Sequence, residues 1–527
     1  MKNLIYLILF TGIVVRAQAQ NKFQRKYLVR DSIYYSMLKS VELNNGSFLT
    51  LTSYNNLGAT APQLHVMNCF PNGTTNWYKK HDCVGFMDFT DFTLHSNNQI
   101  GVSGVYNFSD PVYILLDSSG NILSTTEYTF SSYASFNGIF SNGSNHNVMM
   151  GYLSQFNKGI IVETDLSGNV HRADEYEINN HPVVFNTGLL LRNDNRLFTG
   201  PVSMNLGTHQ RNQVGVLVTD PSGNPLWALQ TGDSSFTMST LSAMELPDQS
   251  ILIAGVATQQ VPFFASYPYL IKVNPNGSSA WMNVYQTSDI FTMYSATVAM
   301  NSNIVLTGYN LPSSGPETTF TCILDSGGHV LFTPSYSEPV FGLDGIDATA
   351  CSDGSILITA KTPDGNGFNS TYLLKTDSTF HGACNESSLN VSELNLITYD
   401  STGFTQQTSN VSAAAFSLNN FSSSMITPIE SDPCLPNGLD ELKENSSSLH
   451  AYVENDILYI HYSGINSGKV DFTLYDLSGK QLQSFSDQSQ SGENSFEKEI
   501  GHPTKGIYFL QCNSGEENLS RLILIAY

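Results

Sequence analysis

Charge is scarce in this 527-residue chain: only 13% of its residues are charged, and Lys and Arg number 23 against 45 Asp and Glu. The formal net charge of -22 argues against nucleic acid and anionic lipid headgroups as partners, since both would be repelled. Seven cysteines are too few for a disulfide scaffold, and the odd number leaves at least one outside any internal pair. Beyond the N-terminus no apolar run is long enough for a membrane-spanning helix. HExxH, paired CxxC, a Walker lysine loop, GxSxG and an EF-hand series are all missing, so no local motif nominates a metal, a cofactor or a catalytic residue. The histidines are scattered; His65 and His329 fall in or beside strands and read as structural.

What is present is Ser, Thr, Asn, Gly and Tyr, a balance that fits an extracellular β protein. The start, MKNLIYLILFTGIVVRAQAQ, reads as a cleaved signal peptide over residues 1–19. Lys2 forms the basic region, Leu4 to Val15 the apolar one, and Ala17-Gln18-Ala19 the cleavage site. Its removal takes away Lys2 and Arg16 and moves the net charge from -22 to -24.

One unit recurs along residues 22–383 with a period near fifty. Its turn glycines are Gly73, Gly120, Gly168, Gly223, Gly277 and Gly328, and Asp117, Asp165, Asp220, Asn274 and Asp325 stand three residues before five of them. A seventh copy keeps Asp377 and lacks the glycine. An Asp or Asn opening a turn accepts hydrogen bonds from the following amides, and glycine takes the left-handed position of a short hairpin. All three tryptophans, Trp77, Trp227 and Trp281, lie four residues after a turn glycine, as does Phe332. Four short antiparallel strands per unit point to an all-β fold, a seven-bladed β-propeller. Its last blade is completed by KYLVRDS near the N-terminus or by ELNLITYDS after Cys384.

The unit resembles PQQ-like propeller repeats in DPSGNPLW (220–227) and NPNGSSAW (274–281), and its turn is similar to the sialidase Asp-box. Both likenesses cover the turn alone, so neither implies a quinone or a glycosidase, and no cofactor is expected. Cys384 and Cys434 flank a Ser/Asn-rich extension and linker, 384–448, where an exported chain permits a disulfide. Cys69 and Cys83 sit at unequal distances from the turn at Asn72-Gly73 and are expected to stay unpaired.

Residues 449–527 read as a small β-sandwich, with alternation in Val470, Phe472 and Leu474 and again in Ile507 and Phe509. They resemble the type A C-terminal sorting domain of type IX secretion in FTLYDLSGKQL (472–482, with Gly479 and Lys480), in KGIYFLQC (Lys505, Gly506 and Tyr508) and in a terminal hydrophobic strand. The usual Pro-Asn-Pro opening and a lysine near the end are missing. The resemblance implies a Bacteroidota protein passed through the periplasm by the type IX machinery and then secreted or attached at the outer-membrane surface.

Two functions fit such a ring. One is a binding or adhesion module for an extracellular glycan or protein; the other is a polysaccharide-active hydrolase or lyase. Tight turns occupy one face of the ring and variable loops the other, and loops free to vary are where recognition is expected. On that face His209, Arg211, Phe263, Phe264 and Tyr267 are the candidate ligand-binding residues.

Overall fold

The computed structural model describes residues 22–434 and 448–525 apart from connecting segments of at most six residues, among them 29–33, 207–208, 260–264, 477–479 and 501–505. The expected signal peptide lies outside the described residues. Every described element is a strand, and the chain divides into two compact units, 1–434 and 435–527.

In the first unit seven sheets follow one another, and the innermost strand of each touches that of the next, the seventh closing on the first. That ring of sheets is a β-propeller. The first blade runs from Tyr34–Glu42 at the centre through Phe48–Asn55 and Gln63–Cys69 to Thr75–Cys83. The seventh is built from Asp344–Ala350, Ile356–Pro363 and Asn369–Lys375, and its fourth strand is Phe23–Leu28. The N-terminal strand therefore closes the ring, and ELNLITYDS lies elsewhere.

The turn chemistry repeats as a backbone conformation. The six turn glycines have φ between 75° and 89°, and in the seventh copy Phe380 takes their place at φ 67°. The Asp that opens the turn caps it: Asp377 Oδ1 accepts from the amides of Thr379 (2.8 Å) and His381 (3.1 Å), as Asp117, Asp165, Asp220 and Asp325 do in their own blades. Trp77, Trp227, Trp281 and Phe332 each pair with a third-strand residue just before a β-bulge, so the large rings occupy one register. Each tryptophan packs on the turn of the next blade. A Cβ on Gly328 would stand 2.6 Å from the Trp281 ring, so no side chain fits there.

A second contact accompanies this one. Four residues past the ring position a buried tyrosine donates its hydroxyl to the carbonyl of the next turn: Tyr128 to Gly168 (3.0 Å), Tyr176 to Gly223 (3.3 Å), Tyr285 to Gly328 (2.8 Å) and Tyr336 to Phe380 (2.7 Å). Tyr27 does the same to Gly73, and His81 takes the role toward Gly120 at 2.9 Å. Blades one, five, six and seven are thus docked on their neighbours by an aromatic ring and a buried hydrogen bond. Blades two and three carry Ser124 and Arg172 at the ring position and keep the hydrogen bond, and blade four docks through Trp227, with Thr231 in the tyrosine's place.

Residues 386–431 wind once around the outside of the ring in the reverse order of the blades. Glu386–Ser388 pairs with blade six, Ser392–Leu396 with five, Ser401 bridges to four, Phe404–Thr408 pairs with three, Val411–Ala415 with two, Phe421–Met425 with one, and Ile429–Ser431 with seven. This belt covers the outer edges that would otherwise offer unpaired backbone groups. Its side chains face solvent except for single apolar residues, such as Val391, Leu396, Val411 and Phe421, which pack against the blade cores. Its carboxylates reach turns: Glu393 accepts from His329 (2.8 Å) and from the Val330 amide, Glu386 from the Gly382 amide (2.7 Å), and Glu430 from the Thr75 amide (2.9 Å). Cys384 and Cys434, bonded to each other with Cα atoms 5.4 Å apart, join the two ends of the belt. Cys69, Cys83, Cys322, Cys351 and Cys512 are buried thiols outside the disulfide.

The second unit packs a three-stranded sheet against a four-stranded one around Leu458, Ile460, Val470, Phe472, Leu474 and Leu510. The final alternation is offset from the expectation. Tyr508, Leu510 and Cys512 face the core and Phe509 is 40% exposed, because Gly506–Asn513 enters the sheet beside Gly468–Asp476 with Leu474 opposite Leu510.

The ring holds several buried histidines. His65 lies between Tyr78 and Gln63, and burial pushes its pKa well below the ordinary value. Burial also lowers His81 and His95. A group whose folded pKa is depressed stabilises the fold above its unfolded value and loses that contribution as pH falls. Asp248, held at about 2 by Ser250 and Lys272, and Asp377, held at about 2 against burial by Lys22 and Thr379, follow the same sign lower on the scale. We expect the thermal midpoint to fall in two stages on acidification, first below about pH 6.5 and again below about pH 4. A His65→Gln variant should be less sensitive in the first stage. A flat midpoint between pH 7 and 5 would refute this account.

Candidate functional site

The innermost strands line the central channel, and in six blades a bulge interrupts their pairing with the second strand. The bulges of blades two and seven each carry a carboxylate. Asp91 accepts from Lys39 Nζ (2.7 Å) and from the Ile139 amide of the next blade (3.1 Å); Asp347 accepts from the Ser40 amide (3.1 Å) and from Ser295 Oγ (2.8 Å). Burial favours a neutral Lys39 amine, yet these two carboxylates hold its pKa above the ordinary lysine value. Asp91 and Asp347 are therefore tied into joints between blades.

A different arrangement stands at the loop-bearing end of blades six and seven. Tyr294, the residue skipped by the bulge of blade six, is 37% exposed, and its ring lies 5.8 Å from that of Tyr309 at an interplanar angle of 30°. Asp344 begins the innermost strand of blade seven opposite Lys361, whose Nζ is 3.0 Å from Oδ2. Asp344 is only 8% exposed, and its Oδ1 has no hydrogen-bond partner. Burial raises its pKa, Lys361 opposes that, and Glu317 adds to it. Glu317 is held close by its carbonyl, which accepts from the Leu343 amide at 3.0 Å. Burial, with Asp344 and Tyr309 beside it, pushes the Tyr294 hydroxyl up to about 12. Two aromatic rings, a carboxylate with an open acceptor, an ammonium and a second carboxylate thus share one surface.

The described residues among those singled out in the sequence fall elsewhere. His209 stands opposite Leu206 at the tip of blade four, and Arg211 is half-buried opposite Met204. Tyr267 packs edge-on against Phe236 at 6.4 Å and joins the core of blades four and five, which leaves it partly buried. Phe263 and Phe264 lie outside the described residues. Lys480 is exposed and its amide donates to Asp476 Oδ1 at 3.1 Å; Gly506 opens a strand, Tyr508 is core, and Gly479 and Lys505 lie outside the described residues. Tyr294, Tyr309, Asp344 and Lys361 come from four strands, so no spacing in the chain announced them. Among the described residues no group of three His, Cys, Asp or Glu is placed to hold a metal ion, and no helix is long and apolar enough to cross a membrane.

No curated protein sequence matches this chain significantly. Among solved structures, the β-propeller domain of the trilobed protease from Pyrococcus furiosus covers 67% of this chain and 97% of its own, with 10% identity and a TM-score of 0.39. The intramolecular trans-sialidase from Ruminococcus gnavus covers 66% and 95%, with 9% identity and a TM-score of 0.36. Neither likeness bears on activity. Residues 454–526 match the secretion system C-terminal sorting domain. A domain of that kind implies the type IX machinery as a partner and places the chain outside the cell or at the outer-membrane surface.

Proposed function

We propose that this exported propeller is a carbohydrate-binding module whose site is the Tyr294–Tyr309–Asp344–Lys361 surface of blades six and seven. The observation that carries the reading is the open acceptor of a buried Asp344 beside the exposed Tyr294 and its half-buried partner Tyr309. A buried carboxylate oxygen without a donor is costly, and a ligand hydroxyl would satisfy it. Sugar rings offer hydroxyls along their edges and C–H faces that stack on aromatic rings. Lys361 would fix the orientation of Asp344 and donate to a second oxygen.

Tyr294 argues against a tyrosine nucleophile, since its hydroxyl is harder to ionise than an ordinary one. Asp344 favours the hydrolase as a second reading, because burial raises its pKa and a general acid needs a carboxyl shifted in that direction. One experiment addresses both. The mature protein is titrated calorimetrically with cello-, xylo- and mannohexaose and with soluble polysaccharides, and the same mixtures are assayed for new reducing ends. We expect binding without cleavage, weakened at least about tenfold by Tyr294→Ala combined with Tyr309→Ala, a loss of about 1.4 kcal/mol or more. Absence of binding across the panel, or binding unaffected by the double substitution, refutes the site. New reducing ends that vanish in Asp344→Asn would establish the enzyme instead.

A further inference from the structure

The belt and its disulfide carry a conclusion about how the ring is made and kept. Cys384 and Cys434 are 50 residues apart in sequence, and the segment between them touches all seven blades before its ends meet. The covalent loop thus encircles the propeller. Beneath the junction lies the N-terminal strand. Phe23–Leu28 is paired on one side with Asn369–Lys375 and on the other with Ile429–Ser431, so it is enclosed within its sheet. Gln24 in that strand is 1% exposed, donates to the Cys384 carbonyl at 2.7 Å and accepts from Tyr372 Oη at 2.6 Å. Arg25 reaches Asp432, two residues before the second cysteine.

We propose that the Cys384–Cys434 bond is a latch, closed by a dithiol-oxidising reaction after the N-terminal strand has docked, and that it keeps that strand in the ring. Order follows from the sheet. The strand's outer neighbour is the last strand of the belt, so the slot is open only while the belt end is free. Closure is a thiol–disulfide exchange with an oxidant that bears a reactive disulfide, such as a periplasmic thiol oxidase. The thiolate of one cysteine attacks the oxidant's disulfide to form a mixed disulfide, and the other thiolate then displaces the oxidant as a dithiol. The two cysteines lose two protons and two electrons, and the oxidant gains both. The remaining thiols stay out of the exchange: all are buried, and burial pushes Cys69 and Cys351 up to about 12, far from the thiolate form.

The test is hydrogen exchange on the folded, full mature chain, oxidised or treated with a phosphine reductant, and on a Cys384→Ser, Cys434→Ser variant. In the oxidised protein the amides of 23–28 and 429–431 should exchange as slowly as those of the inner strand Ile251–Gln259. After reduction they should exchange about 100-fold faster, with 251–259 unchanged. Equal rates in both states would overturn the latch. So would a uniform acceleration of every strand, which would mean that the bond only constrains the unfolded chain. If the serine variant fails to fold, reduction of the native protein gives the same reading.

Discussion

Replacing Trp281 with alanine is expected to destabilise the propeller by about 3 kcal/mol, read as a lower denaturant midpoint at unchanged slope. The ring fills the space between blades five and six, with the Met244, Phe291 and Cys322 core beside it and the Gly328 turn against its edge. Truncation leaves that turn facing a cavity it cannot fill, because its backbone is pinned by the Asp325 carbonyl at 3.0 Å. Tyr285→Phe at the same joint removes only a hydroxyl and a hydrogen bond, and should cost about 1 kcal/mol. The contrast separates the two parts of the docking contact. If Trp281→Ala lowered stability by less than Tyr285→Phe, the apolar ring would not be what holds adjacent blades.

Deleting residues 435–527 should abolish surface delivery and leave the propeller folded in the periplasm. The two units have separate cores, so the ring is expected to fold without the tail. A charge in the sandwich core, Leu510→Asp at a fully buried position, should produce the same export defect in the full chain, since an unpaired carboxylate there is incompatible with the fold that is recognised. Protease accessibility on intact cells, with periplasmic extracts in parallel, measures both. Surface display of the truncated chain at the normal level would remove the sorting domain from the account.

Much of the propeller was legible because its joints are built from rare residues at fixed spacing. Three tryptophans and six left-handed glycines carry a signal that survives divergence elsewhere in each blade. The docking tyrosines were missed for the opposite reason: a buried tyrosine on an alternating strand looks like any core aromatic until its hydroxyl is seen against the next turn. Asp377 marked the seventh turn, but its left-handed residue went unread, since a phenylalanine at φ 67° has no propensity to announce it. The belt reads as an extension because its strands are short and mostly exposed, so neither strand nor helix periodicity appears. Even Leu394 and Ile397, which look like core residues in sequence, face solvent at 46% and 73%. The candidate site was illegible for a topological reason. Asp344 and Tyr294 become neighbours only when blade seven docks on blade six, and ring closure has no linear signature.

The belt also decides how the protein bears load. A pull on the tail reaches the ring at Cys434, where the first unit ends. With that sulfur bonded to Cys384, tension passes across the bond to the chain leaving the Asp377 turn, and the belt between the two cysteines stays slack. Without the bond the same pull would fall on Ile429–Ser431, then on Phe421–Met425, then on Val411–Ala415, each a short strand on an outer edge that can be peeled singly. Peeling takes hydrogen bonds in sequence, whereas the bypass leaves the inner sheets to resist together. A ring cinched in this way can be hauled by its C-terminal end without being unwound.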